Sequence, residues 1–196
     1  MKIKPCFTAI ACCAVLAMPL ATVAQPASSP MPQSAPAAGP IAPADTLLVV
    51  FNMMRDEVIG AADAMPADKY DFAPTCSGDF KGVRTFGEQV RHVAQANYSL
   101  FRRFGVPGGI DPKTLDSLKT KDELMKALRD SFAFDDAAIK SITPENAFLP
   151  LPGPPEYKMT RVSMVAYAMA HSRDHYGQIV EYLRMNSIIP PASRKK

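Results

Sequence analysis

Three histidines are the side chains in this sequence whose type and spacing best suit metal chemistry. His171 and His175 are four residues apart, so on a helix their imidazole rings lie on one face. Two ring nitrogens at this spacing can bind one metal ion. His92 lies in another predicted helix and can supply a third nitrogen if the two helices pack together. Three imidazoles would leave a coordination position open for water, which the ion can activate, or for a thiolate.

Other residues of the last predicted helix share the histidine face. At 100° per residue, Tyr167, Gln178 and Tyr182 fall on the same stripe and are placed to line the pocket or to hold the imidazoles through hydrogen bonds. Ordinary core packing is the alternative for each of them. Asp174 lies beside the stripe, where it could orient a histidine or be a surface charge. Gly177 is costly inside a helix and predicts a close helix–helix contact at this level.

Four helical segments must position these residues. Apolar residues recur at helical spacing, and Thr85 and Thr120 each begin a capping box that marks a helix start. Prolines and a glycine mark helix ends. The predicted helices run from Asp45 to Ala64, from Thr85 to about Phe104, from Thr120 onward, and from about Thr160 to Asn186. No alternating β pattern competes, so we predict an all-α four-helix bundle over residues 44–191.

The first 24 residues have the pattern of an export signal. Lys2 and Lys4 precede an uncharged, mostly apolar stretch, and Thr22-Val23-Ala24 offers small residues before a cleavage point at Gln25. We therefore expect a periplasmic or secreted protein that meets the membrane only during export. An uncleaved anchor is the alternative, although the apolar stretch is short for a span and contains a proline. A lipoprotein signal fits less well, because the apolar stretch continues past its cysteines.

A segment rich in proline, alanine and serine follows the signal, at residues 25–43. It has no charged residue and too few large apolar side chains to form a core, so we predict an extended, disordered linker. It could tether the domain during export or be simple filler. Residues 192–196 form a short basic tail. Cys76 is the one cysteine left after removal of the signal, which excludes an internal disulfide in the mature chain. We expect it to be a loop thiol, with a nucleophile or a metal ligand as the alternative.

Charge and composition exclude other classes of function. Formal net charge is +3, and without Lys2 and Lys4 the chain has 20 basic and 19 acidic residues. This balance gives no basic surface for nucleic acid. No Ser-His-Asp arrangement is evident that would work without a metal.

Two stretches of sequence resemble the DinB-like (DinB/YfiT) family. The first is Lys69 to Pro74 with Thr85 to Ala94, which includes His92; the second is His171-Ser172-Arg173-Asp174-His175-Tyr176-Gly177-Gln178-Ile179 and the residues to Pro191. The resemblance implies a four-helix bundle with up-down-down-up connections. It also implies a divalent metal held by three histidines, corresponding to His92, His171 and His175.

The resemblance does not fix a reaction. The family includes thiol-dependent transferases and isomerases as well as proteins assigned as metal-dependent hydrolases. Reduced thiols are scarce outside the cytoplasm, which weakens the thiol-dependent alternative for an exported protein. Three functions stay open: an exported metal-dependent hydrolase or group transferase acting on a small molecule, a non-catalytic metal- or ligand-binding protein, and a structural, stress-related bundle. Three imidazoles suit zinc, nickel, iron or copper, so the sequence does not name the metal. It also leaves a homodimer open.

Overall fold

Four α-helices position the candidate site. The computed structural model describes residues 39–75, 79–154, 156 and 158–195. The helices are α1 (Pro43–Ala64), α2 (Phe86–Phe101), α3 (Lys121–Lys140) and α4 (Arg161–Met185). Short 3-10 helices lie at Ala67–Lys69, Arg102–Phe104, Pro112–Ser117 and Pro191–Ser193. The described ranges contain no strand, only an isolated bridge between Pro150 and Thr160, so the all-α prediction is confirmed.

Side-chain caps fix where three of these helices begin. Thr85 accepts a hydrogen bond from the backbone N–H of Glu88, whose carboxylate accepts from the Thr85 N–H, and Thr120 forms the same box with Glu123. Both boxes were predicted. Thr160 forms a third box in which Ser163 takes the place of the acid, a pairing that the sequence pattern does not signal. Each cap is worth about 1 kcal/mol to its helix.

Helix ends depart from the predictions by a few residues. α1 begins at Pro43, two residues before the predicted start, because proline is well suited to the first helical turn. The second helix keeps α geometry only to Phe101, and a 3-10 turn completes it before Gly105, whose φ of 76° ends the helix.

Contacts between helix ends show the chain direction of each helix. Lys121, at the start of α3, pairs with Asp63, at the end of α1, so these two helices are antiparallel. α2 and α3 are parallel, because Gly87 and Leu124 meet near both starts. α4 is antiparallel to α2, because Gln89 contacts Gln178, whereas His92, later in α2, meets His171, earlier in α4. The order is therefore up-down-down-up, as predicted.

The core is aromatic and aliphatic. Phe51 of α1 and Phe132 of α3 meet edge to face at 5.9 Å between ring centroids, and Phe86 packs in the same way on Tyr70. All four of these rings are buried, and burying a side chain of this size contributes about 1.5–3 kcal/mol. Val50 of α1 is apolar but 51% exposed, because it lies on the side of the helix away from the core.

None of the helices that the structure describes is both long enough and apolar enough to cross a lipid bilayer.

Three predictions fall mainly outside the described residues. The signal peptide at residues 1–24, the linker up to residue 38 and Cys76 are among the residues that are not described. Five residues of the predicted linker are described: residues 39–42 are exposed and lead directly into α1, and Pro43 is the first residue of that helix.

Candidate metal centre

The three histidines converge between α2 and α4. His92 comes from the middle of α2, and His171 and His175 come from successive turns of the antiparallel α4. One nitrogen from each ring lies within 4.8 Å of the others. Ring centroids are 4.5 Å apart for His171 and His175, and 4.6 Å for His92 and His175. The predicted set of ligands is thus brought to one place.

Gln89 orients the most deeply buried of the three rings. His175 is 6% exposed, and its Nδ1 lies 2.9 Å from Gln89 Oε1. An amide oxygen can only accept, so Nδ1 carries the proton and donates it. This tautomer leaves the Nε2 lone pair free, and Nε2 is the atom that faces His171.

The orientation of Gln89 is itself determined by a chain of hydrogen bonds. The Asp174 carboxylate accepts from Gln178 Nε2 at 3.1 Å, so the Gln178 Oε1 atom faces Gln89. Gln89 Nε2 donates to that oxygen at 2.7 Å, which turns Gln89 Oε1 toward His175. We call Asp174, Gln178 and Gln89 the orienting chain. It begins at the Asp174 carboxylate, which can only accept a hydrogen bond. It ends at His175, which it holds in the tautomer that a metal ligand needs.

His171 has no comparable support. Its Nδ1 is buried and has no hydrogen-bond partner among the described residues, while its Nε2 lies 3.2 Å from Nε2 of His175. Two Nε2 atoms that both bind zinc in a tetrahedral site would lie about 3.3 Å apart. The rings therefore already have the spacing of two ligands to one ion, and the residues present fit a divalent metal.

Burial keeps the histidines neutral. Burial, together with the positive charge of Arg84, lowers the pKa of His92 to about 4. Burial and the neighbouring His171 lower the pKa of His175 to about 4. Burial also lowers the pKa of His171, against an opposing effect of Asp174. All three rings are therefore neutral at neutral pH, with one ring nitrogen of each left unprotonated, which is the form that binds metal.

An open cleft adjoins the cluster. His92 and His171 form part of the wall of a cavity of about 370 Å³, together with Tyr167 and residues of α2 and the Pro112–Ser117 turn. We call this the histidine cleft. The cleft gives a small molecule access to any ion held by the three nitrogens.

The other three stripe residues have different surroundings. Tyr167 lines the histidine cleft. Gln178 reaches His175 only through Gln89. Tyr182 lies farther along α4, where its hydroxyl donates to the Arg84 carbonyl oxygen at 3.0 Å and its ring packs on Phe72.

The prediction of a close helix–helix contact at Gly177 is wrong. A methyl group at this position would meet nothing within 4 Å, because the residue faces a separate cleft of about 460 Å³ rather than another helix.

Gln89 is the site residue that sequence reasoning missed. It precedes His92 by three residues, so the helical repeat places both on one face of α2. A glutamine at that position gives no metal signal of its own, since its role depends on the packing of α4.

Comparison with known proteins agrees with this architecture. The sequence model of the DinB superfamily matches residues 51–179, a range that includes all three histidines. No curated protein sequence matches the chain. The family match covers most of the chain, and the protein belongs to the DinB superfamily.

Proposed function

We propose that this protein is an exported metalloenzyme that holds a divalent ion with His92, His171 and His175 and acts on a small molecule by hydrolysis or group transfer. The observation that carries the proposal is the meeting of three neutral imidazole nitrogens within 4.8 Å beside an open cleft. A divalent ion held in this way would supply Lewis-acid activation at a position open to substrate.

The residues around the cluster support catalysis rather than simple storage of metal. The orienting chain holds His175 in one tautomer, so this ligand is oriented before any ion binds. The cleft leaves two members of the cluster, His92 and His171, facing a space of substrate size, and Tyr167, whose side chain carries a hydroxyl group, is also among the residues that line it. A site used only to stabilise the fold needs neither an open cleft nor a free hydroxyl.

Substitution of Tyr167 tests catalysis separately from binding. In the metal-loaded protein, hydrolysis of small ester, amide and thioester substrates and thiol-dependent group transfer would be assayed, with chelator-treated protein as the blank. We expect metal-dependent turnover that falls in Tyr167→Phe while metal content stays unchanged. Tyr176→Phe is the matched control, because Tyr176 lies on α4 with its ring against Arg173, away from the cleft. Full turnover in Tyr167→Phe would contradict a catalytic role for this hydroxyl.

The proposal that the protein is exported rests on the first 24 residues of the sequence alone. The order of Lys2 and Lys4, an apolar stretch and Thr22-Val23-Ala24 supports cleavage before Gln25. Expression of the full chain in a bacterium, followed by fractionation and intact mass measurement, tests this. A mature form that starts near Gln25 outside the cytoplasm is expected, and a full-length cytoplasmic form would contradict export.

A further inference from the structure

His171 and His175 are in hydrogen-bond contact with each other, besides being candidate ligands of one ion. Their Nε2 atoms lie 3.2 Å apart, which is within the range of a hydrogen bond from a nitrogen donor. Two lone pairs at this distance would repel each other, and two N–H groups would collide. One Nε2 atom therefore carries a proton, and the other accepts a hydrogen bond from it.

The orienting chain makes His171 the donor. Both rings are neutral, so each carries one proton on one of its two nitrogens. The proton of His175 is on Nδ1, which donates to Gln89 Oε1 at 2.9 Å. His175 Nε2 therefore has only a lone pair, and the proton between the two rings belongs to Nε2 of His171. The series of hydrogen bonds that begins at Asp174 thus continues by one bond to His171, and each group donates to the one before it.

The other nitrogen of His171 supports this assignment independently. Its Nδ1 is buried and has no hydrogen-bond partner among the described residues. Among backbone groups, a buried N–H without an acceptor is rarer than a buried acceptor without a donor. We expect the same preference for an imidazole, so Nδ1 holds a lone pair and the proton of His171 lies on Nε2.

From these contacts we propose that the metal-free protein closes its own site with a hydrogen bond from the Nε2–H group of His171 to the Nε2 lone pair of His175. His171 can then bind an ion through Nε2 only after its proton has moved to Nδ1. One proton leaves Nε2 and one is taken up at Nδ1, so the ring stays neutral. The inference rests on the proposed metal site and describes how that site is held before an ion binds.

This hydrogen bond prepares the site and also restrains it. It holds the two Nε2 atoms at 3.2 Å, close to the distance of about 3.3 Å between two ligands of one zinc ion. It also couples metal loading to a proton rearrangement in His171, whereas His175 keeps its tautomer.

¹⁵N NMR of the histidine rings in the metal-free protein tests the proposal. The chain has three histidines, so replacement of one identifies its signals in an untagged protein. Couplings between the ring C–H protons and the ring nitrogens show which nitrogen carries the proton. We expect His171 to be protonated at Nε2 and His175 at Nδ1, with a ¹⁵N–¹⁵N coupling across the bond between their Nε2 atoms. Protonation of His171 at Nδ1, or the lack of this coupling, would overturn the inference.

Substitution of Gln89 tests whether the tautomers of the two rings depend on each other. Gln89→Leu removes the acceptor of His175 Nδ1, so part of the population should carry the His175 proton on Nε2. His171 must then accept at Nε2 and carry its own proton on Nδ1. We expect the two changed tautomers to have equal populations. A change at His175 without an equal change at His171 would contradict the hydrogen bond between the rings.

Gln95→Leu is the matched control for this substitution. Gln95 lies on the same helix and donates to Pro112 and Asp116, so its loss should leave both tautomers unchanged. The measurement on the unaltered protein decides the proposal by itself if Gln89→Leu does not fold.

Addition of zinc separates this inference from the proposed function. We expect zinc to shift the His171 proton to Nδ1, to abolish the ¹⁵N–¹⁵N coupling and to leave His175 protonated at Nδ1. Zinc binding with His171 still protonated at Nε2 would overturn the inference alone. Failure of zinc to bind would overturn the proposed function, while the spectrum of the metal-free protein still decides the hydrogen bond.

Discussion

His175 Nδ1 lies 2.9 Å from Gln89 Oε1, and this contact joins the buried histidine of α4 to the start of α2. The amides of Gln89 and Gln178 and the Asp174 carboxylate determine the direction of this hydrogen bond. It therefore fixes which nitrogen of His175 is free to bind a metal ion. Without such a partner, a neutral imidazole can adopt either tautomer, and part of the population would present a protonated Nε2 to an incoming ion.

Removal of Gln89 should therefore weaken metal binding. We expect Gln89→Ala to raise the Kd for zinc by about 10- to 100-fold, the usual effect of losing a group that orients a ligand. Competition with a chromophoric chelator measures this. Gln95→Ala is the matched control, since Gln95 lies on the same helix and contacts Pro112 and Asp116 rather than a histidine. Equal affinities for the two variants would count against an orienting role.

The loss of zinc affinity on substitution should become smaller along the orienting chain. Gln178 lies one hydrogen bond beyond Gln89, and Asp174 lies one further. We expect Gln178→Ala to weaken zinc binding less than Gln89→Ala does, and Asp174→Ala least. In the metal-free protein, ¹⁵N chemical shifts of the imidazole should show His175 protonated at Nδ1, with the other tautomer gaining population in the same order of variants. An unchanged tautomer ratio in Gln89→Ala would exclude this explanation.

Much of this arrangement could be predicted from local rules. Capping boxes at Thr85 and Thr120 depend on residues three apart, and the pairing of His171 with His175 depends on one helical turn. Such relationships lie within a single element, so the sequence pattern is sufficient to find them.

Relationships between helices could not be predicted in the same way. Tyr167 and Tyr182 share a stripe at 100° per residue, yet fifteen residues separate them by about 22 Å along the helix and about 60° around it. They therefore face different surroundings. The wrong prediction at Gly177 and the missed role of Gln89 have the same cause. The rotation of α4 about its axis, relative to its neighbours, decides whether a residue meets a helix, a cleft or a hydrogen-bond partner.

Histidine burial should make the metal-free protein sensitive to acid. His175 has a pKa of about 4 in the folded state, against an ordinary value of 6.5. Between these values the unfolded chain binds more protons, so the contribution of His175 to the free energy of unfolding is constant above pH 6.5 and falls as pH drops toward 4. His175→Gln removes the titrating ring. Urea unfolding with chelator present, from pH 7.5 to 4, should show a shallower decline for His175→Gln. Parallel curves for the two proteins would contradict a lowered pKa.

The contribution of Asp135 to protein stability should have the opposite dependence on pH. Its carboxyl group is 1% exposed, neither oxygen has a hydrogen-bond partner among the described residues, and burial raises its pKa well above 3.8. The folded state therefore keeps a proton that the unfolded state loses, and stability falls as pH rises above about 3.8 at up to about 1.4 kcal/mol per pH unit.

Replacement of Asp135 by a neutral side chain of the same shape should remove this cost. We expect Asp135→Asn to have a higher Tm than the unaltered protein at pH 7, with a gain that shrinks toward pH 4. Thermal unfolding followed by circular dichroism measures both. Asp136→Asn is the control, because Asp136 pairs with Lys140 and should show no such gain. A lower Tm for Asp135→Asn at pH 7 would mean that the charged carboxylate is stabilised in the fold.

Metal should stabilise the folded protein, since the unfolded chain does not hold the three nitrogens together. At a zinc concentration 100 times the Kd, the gain in free energy of unfolding is about 2.7 kcal/mol. We expect a matching rise in Tm that a chelator reverses and that is absent in His171→Ala. An equal rise in His171→Ala would place the stabilising ion elsewhere.

Metal stoichiometry tests the central claim most directly. The purified domain, dialysed against zinc and then against metal-free buffer, would be analysed by inductively coupled plasma mass spectrometry beside His171→Ala. If His92, His171 and His175 form one site, the protein keeps one ion per chain and His171→Ala loses most of it. An absence of bound metal, or full occupancy in His171→Ala, would contradict the claim.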